Sequence, residues 1–354
     1  MNKVKEIEFC HLCESRVELM CSKFPGYQEP QTFEIYYCQN CNTSYSLPRC
    51  DANSIYELIY QNGISVPGYH RYWKFMDEVK RVKNPLNYLA EEENTYWAVQ
   101  KVVSEFARVN NNPRIVEIGN GLGYLTYSFR KAGFNIVGLD ISETAVNMAR
   151  QRFGDYYIAG DLFKYSVENS GLFDIVILTE VIEHVENITQ FILALSKLLQ
   201  PDGQIILTTP NKSFYPSDTI WVSDLPPIHL WWLSEESMKY ISNKLGMNVS
   251  FIDFADYYTR DNYTLVKIDT NKNITNRHPV YNVNGGIINP KNRNRLNYRL
   301  KLFFIRLNQT QIIRIFYQKM RFLFFKIKYL GYPNIKKCGN QSYILCAILK
   351  MNKI

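Results

Sequence analysis

Between residues 114 and 254, short apolar runs alternate with stripes of helical period. The β-rich runs predict strands over 114–118, 135–139, 155–159, 174–179 and 204–209, with a sixth over 248–254. The intervening stretches predict helices over 123–132, 142–152, 187–200 and 234–245, with Ser142 and Ser234 placed as N-caps. Regular alternation of this kind implies a parallel sheet with helices on both faces. Upstream, the segment from Glu91 to Val109 sets Trp97, Val102, Val103 and Phe106 on or near one stripe, the pattern of a helix facing a core. Nearer the start, residues from Thr32 to Tyr37 alternate like a strand.

Composition adds scale and an asymmetry. The 354 residues have room for one full α/β domain and smaller additions. The net charge of +8 conceals two unlike parts: no Asp or Glu follows Asp269, whereas 17 Lys and Arg fall between 270 and 354. The first 269 residues therefore hold 24 Lys and Arg against all 33 Asp and Glu, a net of −9. The chain is an acidic body with a basic late region. Its first residues are charged and lead into cysteines, unlike a signal peptide, and no apolar run reaches the roughly eighteen residues of a spanning helix. These features set the expectation of a cytoplasmic protein with free thiols.

Those thiols are patterned. Cys10-His-Leu-Cys13 and Cys38-Gln-Asn-Cys41 are two C-x-x-C pairs 24 residues apart, the arrangement of two knuckles of a zinc ribbon. Four thiolates complete a tetrahedral Zn²⁺ shell and leave no open position, so a structural metal is expected. Cys21, Cys50 and His11 are substitutes with poorer spacing. With five Lys and Arg against six Glu in residues 1–50, the ribbon lacks the clustered positive charge that phosphate binding needs.

The most informative stretch is Arg114-Ile-Val-Glu-Ile-Gly-Asn-Gly-Leu-Gly123, a strand running into a glycine turn ahead of a helix. Its G-x-G-x-G spacing departs from the dinucleotide fingerprint, which wants its last glycine where Tyr124 stands. Glu117 would repel a pyrophosphate and suits a ligand bearing an ammonium group. The second strand ends at Asp140, where a carboxylate can accept both hydroxyls of a ribose. Together these describe a pocket for an adenosine with a cationic amino-acid tail. Glu117, Asp140, Asp161 and Glu180 all fall at carboxyl ends of predicted strands, where open α/β sheets bind ligands.

Here the chain resembles the class I S-adenosylmethionine-dependent methyltransferases. The matching pieces are Glu117–Gly123, Gly138–Asp140, Ala159–Leu162, Phe173–His184 and Leu199–Asn211. The resemblance implies a Rossmann-like α/β fold with a seven-stranded sheet whose last strand is antiparallel. The good candidate for that strand is 341–349, which makes the basic region an insertion within the last hairpin. The expected layout is a zinc ribbon at 1–50, a helical connector or lid at 51–110, the methyltransferase domain at 111–260, a basic helical insertion at 261–340, and the last strand within 341–354. The resemblance further implies that Gly119, Gly121 and Gly123 approach the cofactor's amino-acid part, that Asp140 holds the ribose, that Ile141 packs on adenine, and that Asp161 and the Leu162 amide read the adenine ring.

Candidate bases lie past the strand ending at Thr179. If Glu180-Val-Ile-Glu-His184 begins a helix, Glu180, Glu183 and His184 share a face, and His184 suits neutral acid–base work. This E-x-x-E-H arrangement is similar to that of ubiquinone-biosynthesis O-methyltransferases, where it is tied to divalent-metal support. A second candidate is His229, in the Pro- and aromatic-rich Leu225–Trp232 segment. Its Pro-Pro-x-His-x-Trp-Trp pattern resembles bacterial methyltransferases of surface-polysaccharide and sugar biosynthesis, some of which begin with a four-cysteine zinc element. The resulting expectation is O-methylation of a sugar or glycan, lipid-linked ones included. A zinc-ribbon RNA methyltransferase and a non-catalytic cofactor-binding module are the alternatives. For residues 293–330, basic and aromatic, three roles are open: a helical hairpin packed on the body, peripheral contact with an anionic membrane at its inner face, and, last, nucleic-acid binding.

Overall fold

The computed structural model describes residues 9–50, 52–66, 68–217, 219, 225–261, 265–267, 278–288 and 335–352. The amphipathic helices expected at 293–330, and with them the membrane contact, lie outside the described residues. Among the described residues no helix is long and apolar enough to cross a membrane.

The N-terminal lobe contributes β1 (Glu18–Pro25), β2 (Thr32–Cys38) and β3 (Thr43–Leu47), followed by α1 (Asn53–Asn62), α2 (His70–Glu78), α3 (Pro85–Glu92) and α4 (Asn94–Val109). The alternating part then runs β4 (Arg114–Ile118), α5 (Tyr124–Lys131), β5 (Asn135–Asp140), α6 (Glu143–Phe153), β6 (Tyr157–Ala159), α7 (Leu162–Glu168), β7 (Phe173–Thr179), α8 (Ile188–Lys197) and β8 (Leu199–Pro210). After these come the two-residue β9 (Trp231–Trp232), α9 (Glu235–Lys244), β10 (Met247–Phe251), α10 (Ala255–Asp261), β11 (Leu265–Lys267), β12 (Ile335–Lys337) and β13 (Ile344–Met351).

A seven-stranded sheet has the order β10-β13-β8-β7-β4-β5-β6. Only β13 is antiparallel to its neighbours, as expected for the last strand. Strands buried on both faces read as continuous apolar runs, and Ile175, Val176, Ile177 and Leu178 are all fully buried. Their side chains alternate between two cores: Val116, Val176 and Ile205 face α8 and α9, whereas Ile115, Ile175 and Ile206 face α4 and α5. Ser142 and Ser234 cap α6 and α9 as the sequence suggested, Ser234 in a reciprocal box with Ser237. Helix α7 was not foreseen; it is seven residues long, and only Leu162 and Ser166 are buried on it.

The chain order reverses beside β4: β5 and β6 extend the sheet one way, β7 and β8 the other. That switch opens a crevice at the carboxyl ends of the strands. Helices α1 and α2 lie over it and line the cavity it forms.

The N-terminal sheet is completed from outside residues 1–50, because β9 extends it in the order β1-β2-β3-β9. Cys10, Cys38, Cys41 and Tyr45 share one apolar core with the central strands. Between 261 and 340 the described parts include the paired strands β11 and β12 and the irregular segment 278–288. That segment returns to the ribbon, where Val280 and Tyr281 donate their amides to the Tyr27 carbonyl at 2.8 and 3.0 Å.

Candidate functional site

The crevice is a cavity of about 1700 Å³. It gathers Glu117, Gly119, Gly121, Asp140, Ile141, Asp161, Leu162, Glu180, Glu183, His184 and His229, residues more than a hundred positions apart. Convergence follows from topology, since each carboxylate follows or ends a strand whose carboxyl end opens on the same rim.

The glycine turn shows why three glycines stand in ten residues. Gly119, Gly121 and Gly123 all have positive φ, at 73°, 48° and 77°. A Cβ on Gly121 would have nothing nearer than the Tyr60 hydroxyl at 3.7 Å, so this backbone faces open space. Gly123 serves otherwise. A Cβ there would stand 2.6 Å from both Ala149 and Tyr157, and the Tyr157 hydroxyl donates to its carbonyl. Gly123 is therefore a helix-packing glycine and does not line the cavity, contrary to expectation.

Asp140 latches this turn. One carboxylate oxygen accepts from the Gly121 amide at 2.7 Å and the other from the Ser142 amide at 2.9 Å. Each oxygen keeps a further lone pair for a ligand hydroxyl. Burial pushes its pKa above the ordinary value despite these bonds. Glu117 is fully buried, accepts a hydrogen bond from the Thr126 hydroxyl, and is pushed up to about 8 by desolvation. Burial at the cavity wall thus favours the neutral form of this carboxyl, and a cation brought beside it would favour the ionised one. Asp161 caps α7 through the Lys164 amide at 3.0 Å and is exposed at the rim. Ile141 is 74% exposed, an apolar surface at the cavity mouth of the sort that covers a flat ring.

The E-x-x-E-H segment does not begin an α-helix. Glu180 sits at φ 54°, a conformation that costs on the order of 1–3 kcal/mol outside glycine. It is held there by its amide bond to the Thr208 carbonyl and by the Thr208 hydroxyl on Oε1 at 3.2 Å. A single 3-10 turn, Ile182–His184, follows. Glu183 is turned inward, where the Thr209 hydroxyl donates to it at 3.0 Å. Glu180, Glu183 and His184 consequently do not bring three donor atoms together as a metal shell would need; among the described residues only the cysteines do.

His184 and His229, separate candidates in the sequence, meet edge to face with ring centroids 4.5 Å apart. The His184 Nδ1 lies 2.7 Å from the Ile228 carbonyl. A carbonyl only accepts, so Nδ1 carries the proton and Nε2 presents its lone pair. Burial lowers the pKa of His184 to about 4 and that of His229 well below the ordinary value, helped by the neighbouring ring. Burial thus favours the neutral form of both rings, and the His184 Nε2 stands 3.8 Å from the buried Glu183 Oε1. The sequence also did not single out Tyr56 and Tyr60 of α1, which line the cavity and are exposed to its fields. Their i, i+4 spacing was the available signal. Tyr69, Tyr72, Trp73 and Tyr96 of the helical connector also line the cavity, and Trp97 packs in the core against Phe254 and Tyr257, as its stripe suggested.

In the N-terminal lobe, the sulfurs of Cys10, Cys13, Cys38 and Cys41 all lie within 4.8 Å of one another. The Cys10–Cys41 and Cys13–Cys38 separations are 3.6 and 3.4 Å. A tetrahedron of Zn–S bonds of about 2.3 Å has edges of about 3.8 Å, so the tetrad fits such an ion.

Residues 89–250 match the family model described as "Methyltransferase domain". That segment is a class I methyltransferase domain. The domain is 30% identical over 153 residues to a ubiquinone biosynthesis O-methyltransferase of Aromatoleum aromaticum, covering 41% of this chain and 59% of the relative. It is 34% identical over 130 residues to the mitochondrial enzyme of that name from Dictyostelium discoideum, covering 30% and 40%. The chain thus spans about half the length of such relatives. Among solved structures, a SAM-dependent methyltransferase from Archaeoglobus fulgidus is 16% identical, with a TM-score of 0.40 over 72% of this chain and 94% of that one.

Proposed function

We propose that this protein transfers a methyl group from S-adenosylmethionine to a hydroxyl oxygen of a sugar or glycan. The observation that carries the reading is that one cavity is lined both by Glu117 and Asp140 and by the adjoining His184–His229 pair. When bound, the cofactor supplies a methyl group on a sulfonium, already activated for in-line displacement. The Glu117 carboxylate faces its ammonium and Asp140 its ribose hydroxyls. Ile141 covers adenine, with Asp161 and the Leu162 amide at the ring edge, and the Gly119–Gly121 backbone borders the amino-acid part. His184 Nε2 takes the acceptor proton. A base with a low pKa suffices, because an oxygen becomes strongly acidic as it gains the methyl group.

The acceptor wall supports a polyol. Tyrosines such as Tyr56, Tyr69 and Tyr72 offer faces for sugar rings. The carboxylates Glu57, Glu180 and Glu186 offer acceptors for hydroxyls. Arg71 is the sole Lys or Arg among the described lining residues, which disfavours RNA or any acceptor with phosphate beside the reacting hydroxyl. The relatives' name specifies an O-methyltransferase, consistent with oxygen as the methylated atom. The four cysteines hold structural Zn²⁺ in this reading. Incubating the full chain with methyl-labelled cofactor and a glycan extract should put label in a methylated sugar released by hydrolysis. Label entering RNA instead, or cofactor bound with no glycan labelled, overturns it.

Cofactor affinity should peak near pH 8. Glu117, at about 8 in the empty site, is largely protonated below that pH, and only its ionised form pairs with an ammonium, so affinity rises as pH climbs. Above pH 8 the ligand's own α-amino group, with an ordinary pKa of about 7.7–8.0, loses its proton and affinity falls. Calorimetry across pH 6–10 tests this. Glu117→Gln should remove the acid limb and weaken binding by about 1.5–3 kcal/mol; a wild-type curve flat below pH 8 refutes the assignment.

A further inference from the structure

The segment carrying His229 is gripped on two sides, and the two grips belong to different parts of the chain. On one side stands the 3-10 turn. The His184 Nδ1 donates to the Ile228 carbonyl at 2.7 Å, the Leu230 amide to the Glu183 carbonyl at 2.9 Å, and the Trp231 indole Nε1 to the Val185 carbonyl at 2.8 Å. Ile228, Leu230 and Trp231 thus hold three consecutive residues, Glu183 to Val185. On the opposite side stands the four-cysteine lobe. The Leu230 carbonyl accepts from the Ser46 amide and from Arg49 Nη1, each at 3.1 Å. The Arg49 guanidinium lies 4.3 Å from the Trp231 ring centre. Strand β9 pairs with β3 at Tyr45↔Trp231 and Ser44↔Trp232. The Ser234 and Ser237 hydroxyls lie 3.3 and 3.1 Å from the Cys41 carbonyl.

Leu230 is the shared bracket: its amide holds the turn and its carbonyl is held by the lobe. We propose that the four-cysteine lobe is a positioning element for the histidine pair, acting through Arg49 and Trp231. The inference rests on the histidines serving the methyl-transfer centre proposed above. It assigns the lobe a role that a merely structural zinc ribbon would not have: it fixes which nitrogen of His184 carries the proton. Free imidazole prefers the other tautomer, so the Ile228 carbonyl must be presented accurately for Nε2 to stay unprotonated. Neither Arg49 nor Trp231 is among the residues lining the cavity, so each acts through the segment between them and not by touching a ligand.

The test uses the full, zinc-loaded chain with ¹⁵N-labelled histidine and bound S-adenosylhomocysteine. The His184 signals are identified by their loss in His184→Gln. Wild type should show a single tautomer protonated at Nδ1. Arg49→Ala and the milder Trp231→Phe, which keeps an aromatic ring and deletes the bond to Val185, should each move His184 towards the mixture of free imidazole. Zinc content and S-adenosylhomocysteine affinity should stay at wild-type values, and kcat should fall by about a hundredfold, the cost of an ångström-scale misplacement. Arg49→Lys keeps the charge without the flat stacked face and should recover only part of the signal. Should Arg49→Ala fail to fold, Trp231→Phe decides. An unchanged His184 tautomer in the folded variants overturns the proposal, as does loss of ligand affinity in step with the tautomer, which would mark general destabilisation. The spectra are read without an acceptor, so they stand even if no glycan is methylated.

Discussion

Asp140→Ala should all but abolish cofactor binding. Two charge-assisted hydrogen bonds to ribose hydroxyls are worth about 1.5–3 kcal/mol each, so the loss amounts to roughly a hundredfold to ten-thousandfold in affinity. A second cost adds to this. The same carboxylate accepts from the amides of Gly121 and Ser142, so its removal loosens the glycine turn as well. Asp140→Asn separates the two effects: it keeps one acceptor oxygen for the turn while losing the charge, and should fall between wild type and Ala. Calorimetry with S-adenosylhomocysteine reads both. An alanine variant with undiminished affinity would remove Asp140 from the site and with it the proposed orientation of the ligand.

Cys38→Ser should release the metal and damage far more than the N-terminal lobe. Three thiolates leave the tetrahedral shell open, and losing a structural metal costs on the order of 4–5 kcal/mol or more. For a chain of this size that lowers the melting temperature by roughly 6 °C or more. Because Cys38 and Cys41 share an apolar core with Val176, Leu178 and Leu207, and β3 carries β9, the damage should reach the segment bearing His229. Metal analysis and a thermal scan check it. A wild-type protein without zinc, or a variant with unchanged melting, contradicts the reading of the tetrad.

The alternating strands and helices were legible in the sequence because their causes are local. Parallel strands buried on both faces must be continuously apolar, and Ile175–Leu178 and Ile205–Leu207 are. The G-x-G-x-G turn, the carboxylates at strand ends and the two C-x-x-C pairs were legible for the same reason: each depends on residue types at short fixed spacing. Helix α7 was not, since only Leu162 and Ser166 on it are buried and no stripe marks it. The conformation of Glu180 was not either. A residue at positive φ is held by partners from β8, and nothing in E-x-x-E-H encodes them.

By itself, then, the sequence determined the sheet, its glycine turn, the acidic rim and the cysteine tetrad, because pattern and backbone sterics act over a few residues. Tertiary structure alone decided that His184 and His229, 45 residues apart, share one wall, that Gly123 packs a helix while Gly121 faces the cavity, and that β9 joins the ribbon to the body. Those outcomes depend on contacts between segments remote along the chain, whose energies exist only after the sheet has brought its strand ends to one edge.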